Sequence, residues 1–195
     1  EVKIREAKPV IALLPGSRKQ EIAKVLPVML EIVSSFPAYQ FVIAGVNSIE
    51  ESFYRELIND KNCQLIFNQT YPLLSQSKAA LVTSGTATLE TALFNVPEVV
   101  CYKGSPLSFW IGKQLVDVKY ISLVNLILDQ PLVKELIQQD FTPANLKVEL
   151  HKILLDENRR TQLMTGYQQL KGILGGAGAS EKTAGFIQNL MLTGQ

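Results

Sequence analysis

The chain has 195 residues, 47% of them hydrophobic, and a formal net charge of +1 at pH 7. That length and apolar content suit one substantial core, so a single domain of doubly wound size is expected. The balanced charge, with no basic run or stripe, removes the electrostatic case for nucleic acid as a partner. Cys63 and Cys101 each lie inside an apolar, strand-like run and read as buried free thiols in a reducing compartment, while the lone His151 cannot complete a zinc set, so no metal is expected. No run approaches the roughly 18 apolar residues of a membrane span, and nothing at the start resembles a signal peptide. Beginning at Glu1 without an initiator Met, the chain reads as a piece cut from a longer protein.

In chain order, Val10 to Leu14 is a continuous apolar run stopped by Pro15-Gly16, which suits a parallel strand covered on both faces. Ser17 is expected to cap a helix carrying Ile22, Val25, Leu26, Met29, Leu30, Val33 and Phe36 at helical spacing, interrupted at Pro27 by a kink or by the start of a second helix. A strand at 40–44, a helix at 49–59, a strand at 63–67, a short helix at 71–77 and a strand at 79–83 follow. The alternation predicts an α/β fold, a Rossmann-like parallel sheet with helices on both faces, whose ligands gather at the carboxyl ends of the strands. Next come a helix opening after Ser84, a strand at 98–102 and an apolar-faced helix at 107–116. Residues 120–128 read equally as strand or loop. Helices are expected at 132–139, at 143–155 behind a Thr142 cap, and at 157–171. Gly175 to Gly178 reads as a hinge rather than a phosphate loop, since no strand precedes it, and Ser180 caps a last helix running to about Met191.

Two loops carry chemistry. Ser84, Gly85, Thr86 and Ala87 turn from strand to helix, which places backbone N–H groups and hydroxyls at the positive end of a helix dipole, where a phosphate can sit. Glu90 falls about a turn further in, where a carboxylate can clasp the vicinal diol of a ribose. The plainer account is an ordinary helix cap with a solvated Glu. Pro15-Gly16-Ser17-Arg18 ends the first strand and so emerges on the same sheet edge: Gly16 permits close approach, Ser17 offers a hydroxyl, and Arg18 supplies a planar, permanently charged fork matched to a diphosphate. Against this stands an Arg18 solvated at a helix start beside Glu21, and an Asn125 that merely forms a turn. Together the loops describe a nucleotide diphosphate site without a Walker lysine or a Gly-rich dinucleotide fingerprint. A flavodoxin-like signalling domain lacks its acidic cluster here, because Pro15 to Arg18 occupies that place.

These residues also carry a resemblance. Leu13-Leu14-Pro15-Gly16-Ser17-Arg18 with Glu21-Ile22, then Ser84 to Glu90, then Tyr102-Lys103, then Val118 to Ile127, and finally Val133 to Gln138, resemble in order the lipid A disaccharide synthase family of inverting glycosyltransferases, of the two-Rossmann-domain (GT-B) class. The resemblance covers nearly the whole chain and is to the carboxyl-terminal half, one half of a GT-B fold with a helical tail. It implies a UDP-sugar donor domain at 1–172, a glycine hinge and terminal helix at 173–195, and an amino-terminal acceptor domain absent from this chain. The implied reaction moves 2,3-diacylglucosamine from its UDP derivative to 2,3-diacylglucosamine 1-phosphate in bacterial lipid A (lipopolysaccharide) biosynthesis, with no cofactor. The implied residues are Arg18 as the catalytic charge on the departing diphosphate and Gly16, Ser17, Arg18, Ser84, Gly85, Thr86, Ala87, Glu90, Tyr102 and Asn125 around the donor. The lipid acceptor would bind through the other domain, in a cytoplasmic protein peripheral to the inner membrane, as a monomer or a homodimer; this fragment alone would be inactive. Where the family usually has Pro before that Asn, this chain has Val124. A UDP-sugar epimerase-type domain and a non-catalytic nucleotide-binding module are the alternatives.

Overall fold

The computed structural model describes residues 8–104 and 119–175, together with Ala184 and Gln188. Its centre is β1 (Val10–Leu14), all five of whose side chains are buried. Ile11 and Leu13 enter one apolar cluster, and Val10, Ala12 and Leu14 enter another. Successive strand side chains point to opposite faces, so a strand covered on both sides has no polar alternate positions. Five further strands align in parallel with it: β2 (Gln40–Gly45), β3 (Cys63–Phe67), β4 (Ser77–Thr83), β5 (Glu98–Tyr102) and β6 (Lys134–Ile137). The six-stranded sheet runs β3-β2-β1-β4-β5-β6.

Helices cover both faces. α1 (Lys19–Glu31), α2 (Glu51–Ile58) and α6 (Pro143–Leu155) bring Ile22, Leu26, Tyr54 and Leu150 onto the Ile11, Leu13 and Ile43 face. α3 (Thr70–Gln76) lays Leu73 and Leu74 over Val10, Ala12, Val42 and Ala80 on the other. α4 (Thr86–Leu93), α5 (Leu123–Leu128) and α7 (Glu157–Leu174) pack on one another, with α4 against β4 and β5. Each of these fully buried aliphatic side chains stabilises the fold by about 1.5–3 kcal/mol before entropy is counted. Both cysteines are free and buried, and burial pushes the Cys63 thiol up to about 12.

Four local expectations are corrected. α1 is one helix of 13 residues that continues through Pro27, because Val25, Leu26, Val28 and Met29 on either side of it are all held in the core. Its N-cap is Arg18 rather than Ser17, and no side chain caps it. Residues 123–128 are neither strand nor loop but α5, begun by the Ser122 hydroxyl accepting from the Asn125 amide and ended by a left-handed Asp129. The stretch expected to be helical from Leu132 instead forms β6, pairing Lys134 to Ile137 with Val99 to Tyr102 before a short 3-10 turn at Gln138–Asp140. A free edge on β5 outweighs the helical propensity of Lys, Glu and Leu over so few residues. Thr142 does cap α6. The helix expected at 107–116, the hinge beyond Gly175 and all of the last helix except Ala184 and Gln188 lie outside the described residues. Among those residues no helix is long and apolar enough to cross a membrane.

Candidate functional site

From β1 the chain winds outward through β2 to β3, then crosses to the other side of β1 to lay down β4. The carboxyl ends of β1 and β4 therefore flank the point where strand order reverses, the place where parallel α/β sheets leave a crevice. Leu14 lies opposite Val82, so the loops following the two strands leave the sheet side by side. Between them is a cleft of about 210 Å³, lined by Gly16, Ser17 and Glu21 from one loop and by Thr83 to Ala87 and Glu90 from the other, with Thr70 at its edge. Two larger hollows, about 470 and 480 Å³, share Pro131 and Arg159 away from this point.

On the β1 side, Gly16 has φ +109°, and a Cβ there would run into the Glu21 carboxyl. Glu21 is the third residue of α1, and its carboxyl lies near enough to the backbone amides of Ser17 and Arg18 for them to favour its charged form. Burial raises its pKa above the ordinary carboxylate value, while those amides and the Arg18 charge pull it down. The Arg18 side chain is exposed and outside the lining of the cleft.

On the β4 side, Gly85 (φ +149°) caps α4 without a side-chain bond, and a Cβ on it would meet nothing, so the space before the helix is open. The first N–H groups of α4 have no acceptor within the helix. Ser84 donates its hydroxyl to the Ile121 carbonyl at 2.8 Å, so its proton serves the loop rather than a ligand. Thr88 and Thr91 likewise turn inward, donating to the carbonyls of Gly85 and Ala87. Thr83 differs: its hydroxyl is buried, borders the cleft and has no hydrogen-bond partner among the described residues. Sequence reasoning missed it as a site residue, although a hydroxyl ending the otherwise apolar run Ala79 to Val82 was the available signal.

Asn125 is 1% exposed and its amide is fully engaged. Nδ2 donates to the Val133 carbonyl and to Glu135, both at 2.9 Å, and Oδ1 accepts from the Val133 amide at 2.8 Å. It places its loop and has no free amide hydrogen for a donor. Tyr102 is half-buried at the end of β5, its hydroxyl beside Gly104, and does not line the cleft. Of the expected residues, the fold brings together Gly16, Ser17, Ser84, Gly85, Thr86, Ala87 and Glu90; Arg18, Tyr102 and Asn125 lie outside that lining.

A model of the lipid-A-disaccharide synthetase family matches residues 1–185. The chain belongs to that family. It is 36% identical over 190 residues to the lipid-A-disaccharide synthase of Coxiella burnetii (strain CbuG_Q212), covering 95% of this chain and 50% of that protein. To the synthase of Syntrophus aciditrophicus (strain SB) it is 37% identical over 188 residues, 93% of this chain and 49% of the other. The chain thus spans about half the length of the curated relatives it matches. Among solved structures, the glycotransferase of kitacinnamycin superposes with a TM-score of 0.63 at 13% identity, over 97% of this chain and 44% of that one. The calicheamicin glycosyltransferase CalG4 gives 0.60 at 16%, over 94% and 43%. At such identities the likeness is one of fold: this synthetase-family chain has the α/β architecture of half a GT-B glycosyltransferase.

Proposed function

We propose that this chain is the donor-binding half of an inverting glycosyltransferase, which moves 2,3-diacylglucosamine from its UDP derivative to 2,3-diacylglucosamine 1-phosphate and so forms the lipid A disaccharide. The supporting observation is that the open N-terminus of α4, the buried Thr83 hydroxyl and the Glu90 carboxylate face one cleft at the topological switch point, in a member of this family. The α4 amides would receive the diphosphate, reinforced by Thr83, and Glu90 would accept the ribose hydroxyls. In the inverting step the acceptor oxygen forms its bond to the anomeric carbon as the bond to the diphosphate oxygen breaks; the electron pair leaves on UDP and the acceptor proton passes to a base. Positive charge on the departing diphosphate is the task we give Arg18, reaching in from the rim. Tyr102 and Asn125 would border the donor, Asn125 by holding its loop.

Acceptor and base would come from the amino-terminal half of the full protein. We assign donor binding to residues 1–172 and place the full protein on the cytoplasmic side of the inner membrane, where its lipid substrates lie. The test is turnover. With both sugar substrates supplied, the isolated chain should release UDP at the uncatalysed rate, since holding the reactants together supplies on the order of 7–11 kcal/mol of the barrier. Joined to a family amino-terminal half it should turn over, and Arg18→Ala there should lower kcat by about 10²-fold or more. Disaccharide formed by the isolated chain at the joined protein's rate would contradict this division of labour.

A further inference from the structure

Glu135 lies on the edge strand β6, two strands away from β4, and does not line the cleft. Its half-buried carboxylate nevertheless gathers an unusual number of donors. The Ile121 amide reaches Oε2 at 3.1 Å and Oε1 at 3.2 Å. The Ser122 amide and hydroxyl reach Oε1 at 2.9 and 2.8 Å, and Asn125 Nδ2 reaches it at 2.9 Å. Most of these groups belong to the chain that begins α5, which this one side chain ties to the sheet beside the Asn125–Val133 pair. An ionised acceptor holding several donors is stronger and more directional than a set of neutral pairs.

The same segment touches the cleft at one point. While the Ile121 N–H donates to Glu135, the Ile121 carbonyl accepts the Ser84 hydroxyl. Ser84 precedes Gly85, which has φ +149° and no side-chain cap; the Thr88 amide and hydroxyl hold the Gly85 carbonyl, and Ser84 is the link from this turn to the Ile121 segment. We propose that Glu135 is a positioning residue of the nucleotide cleft, acting through the Ile121 peptide and Ser84 to fix the Ser84-Gly85-Thr86 turn. This rests on the reading of that turn as the diphosphate site. Without the carboxylate, the Ile121 and Ser122 amides lose their acceptor, the Ile121 peptide is free to turn toward water, and Ser84 loses the geometry of its bond. The turn then has to be ordered by the ligand itself, and affinity falls by the cost of that ordering.

A double-mutant cycle tests this in the full chain, with UDP as the probe, calorimetry well below every melting temperature, and hydrogen exchange of the amides of residues 84–87 without ligand. Glu135→Ala and Ser84→Ala should each weaken UDP by about tenfold, and the double variant by no more than about the same, since removing two links of one chain is not additive. Glu135→Gln keeps one acceptor oxygen and should fall between wild type and Ala; it also takes the place of Glu135→Ala in the cycle if that variant does not fold. Exchange at 84–87 should quicken in the Glu135 variants. Glu135 variants that melt lower but bind UDP as wild type does, or losses that multiply in the double variant, would overturn the proposal. If wild type fails to bind UDP, the nucleotide reading falls, and exchange decides the positioning role: faster exchange at 84–87 upholds it and unchanged exchange overturns it.

Discussion

At the scale of single residues, the fold places one carboxyl where none is comfortable. Glu98, the first residue of β5, is fully buried, and neither carboxyl oxygen has a hydrogen-bond partner among the described residues. Desolvation holds its pKa well above the usual 4.5, and its charge helps to push the neighbouring Cys101 and Tyr167 up as well, behind burial in both cases. A carboxyl whose folded pKa is raised gives stability that is complete below its unfolded value and lost as pH rises through the folded one. The unfolding free energy from urea titrations should therefore decline as pH is raised from about 4.5, and Glu98→Gln should remove most of that decline; a variant that keeps the wild-type slope would place its origin elsewhere. Glu90 is the residue we propose for the ribose hydroxyls. Glu90→Ala should weaken UDP by about 1.5–3 kcal/mol, the usual worth of a hydrogen bond to a charged group. It should matter far less for the deoxyribose nucleotide, and equal losses for both would make Glu90 structural.

At the scale of elements, what was legible followed the physics of the pattern. β1 is a continuous apolar run closed by Pro15-Gly16, β3 and β5 are apolar but for Gln64 and Glu98, and the bounds of all three agree with the sequence reading. α5 and β6 were not legible because both are short and depend on each other. Ser122 and Asn125 look like turn formers until Glu135 and Val133 arrive from β6 to pair with them, and β6 looks helical until β5 offers its edge. The mutual dependence of α5 and β6 is measurable. Asn125→Ala leaves the Val133 amide and carbonyl without their side-chain partner and should cost on the order of 1–3 kcal/mol in chemical denaturation. A change within about 0.5 kcal/mol, the range of ordinary surface substitutions, would mean that water replaces the side chain freely.

At the scale of the whole molecule, the sheet order determines where a ligand can be read, and the loops determine what it is. The two loops named from sequence do meet, because β1 and β4 are neighbours at the point of reversal. The commitment of the Ser84 hydroxyl to the Ile121 carbonyl was beyond sequence. On the proposed reading, anion binding falls mainly to the start of α4, with Thr83 beside it. The central claim is that this cleft holds a nucleoside diphosphate by its phosphates, and calorimetry of the wild-type chain with UDP, UMP and uridine tests it most directly. Affinity should rise in the order uridine, UMP, UDP, with the gain from UMP to UDP shrinking as salt is added. Equal affinity for the three would contradict the account.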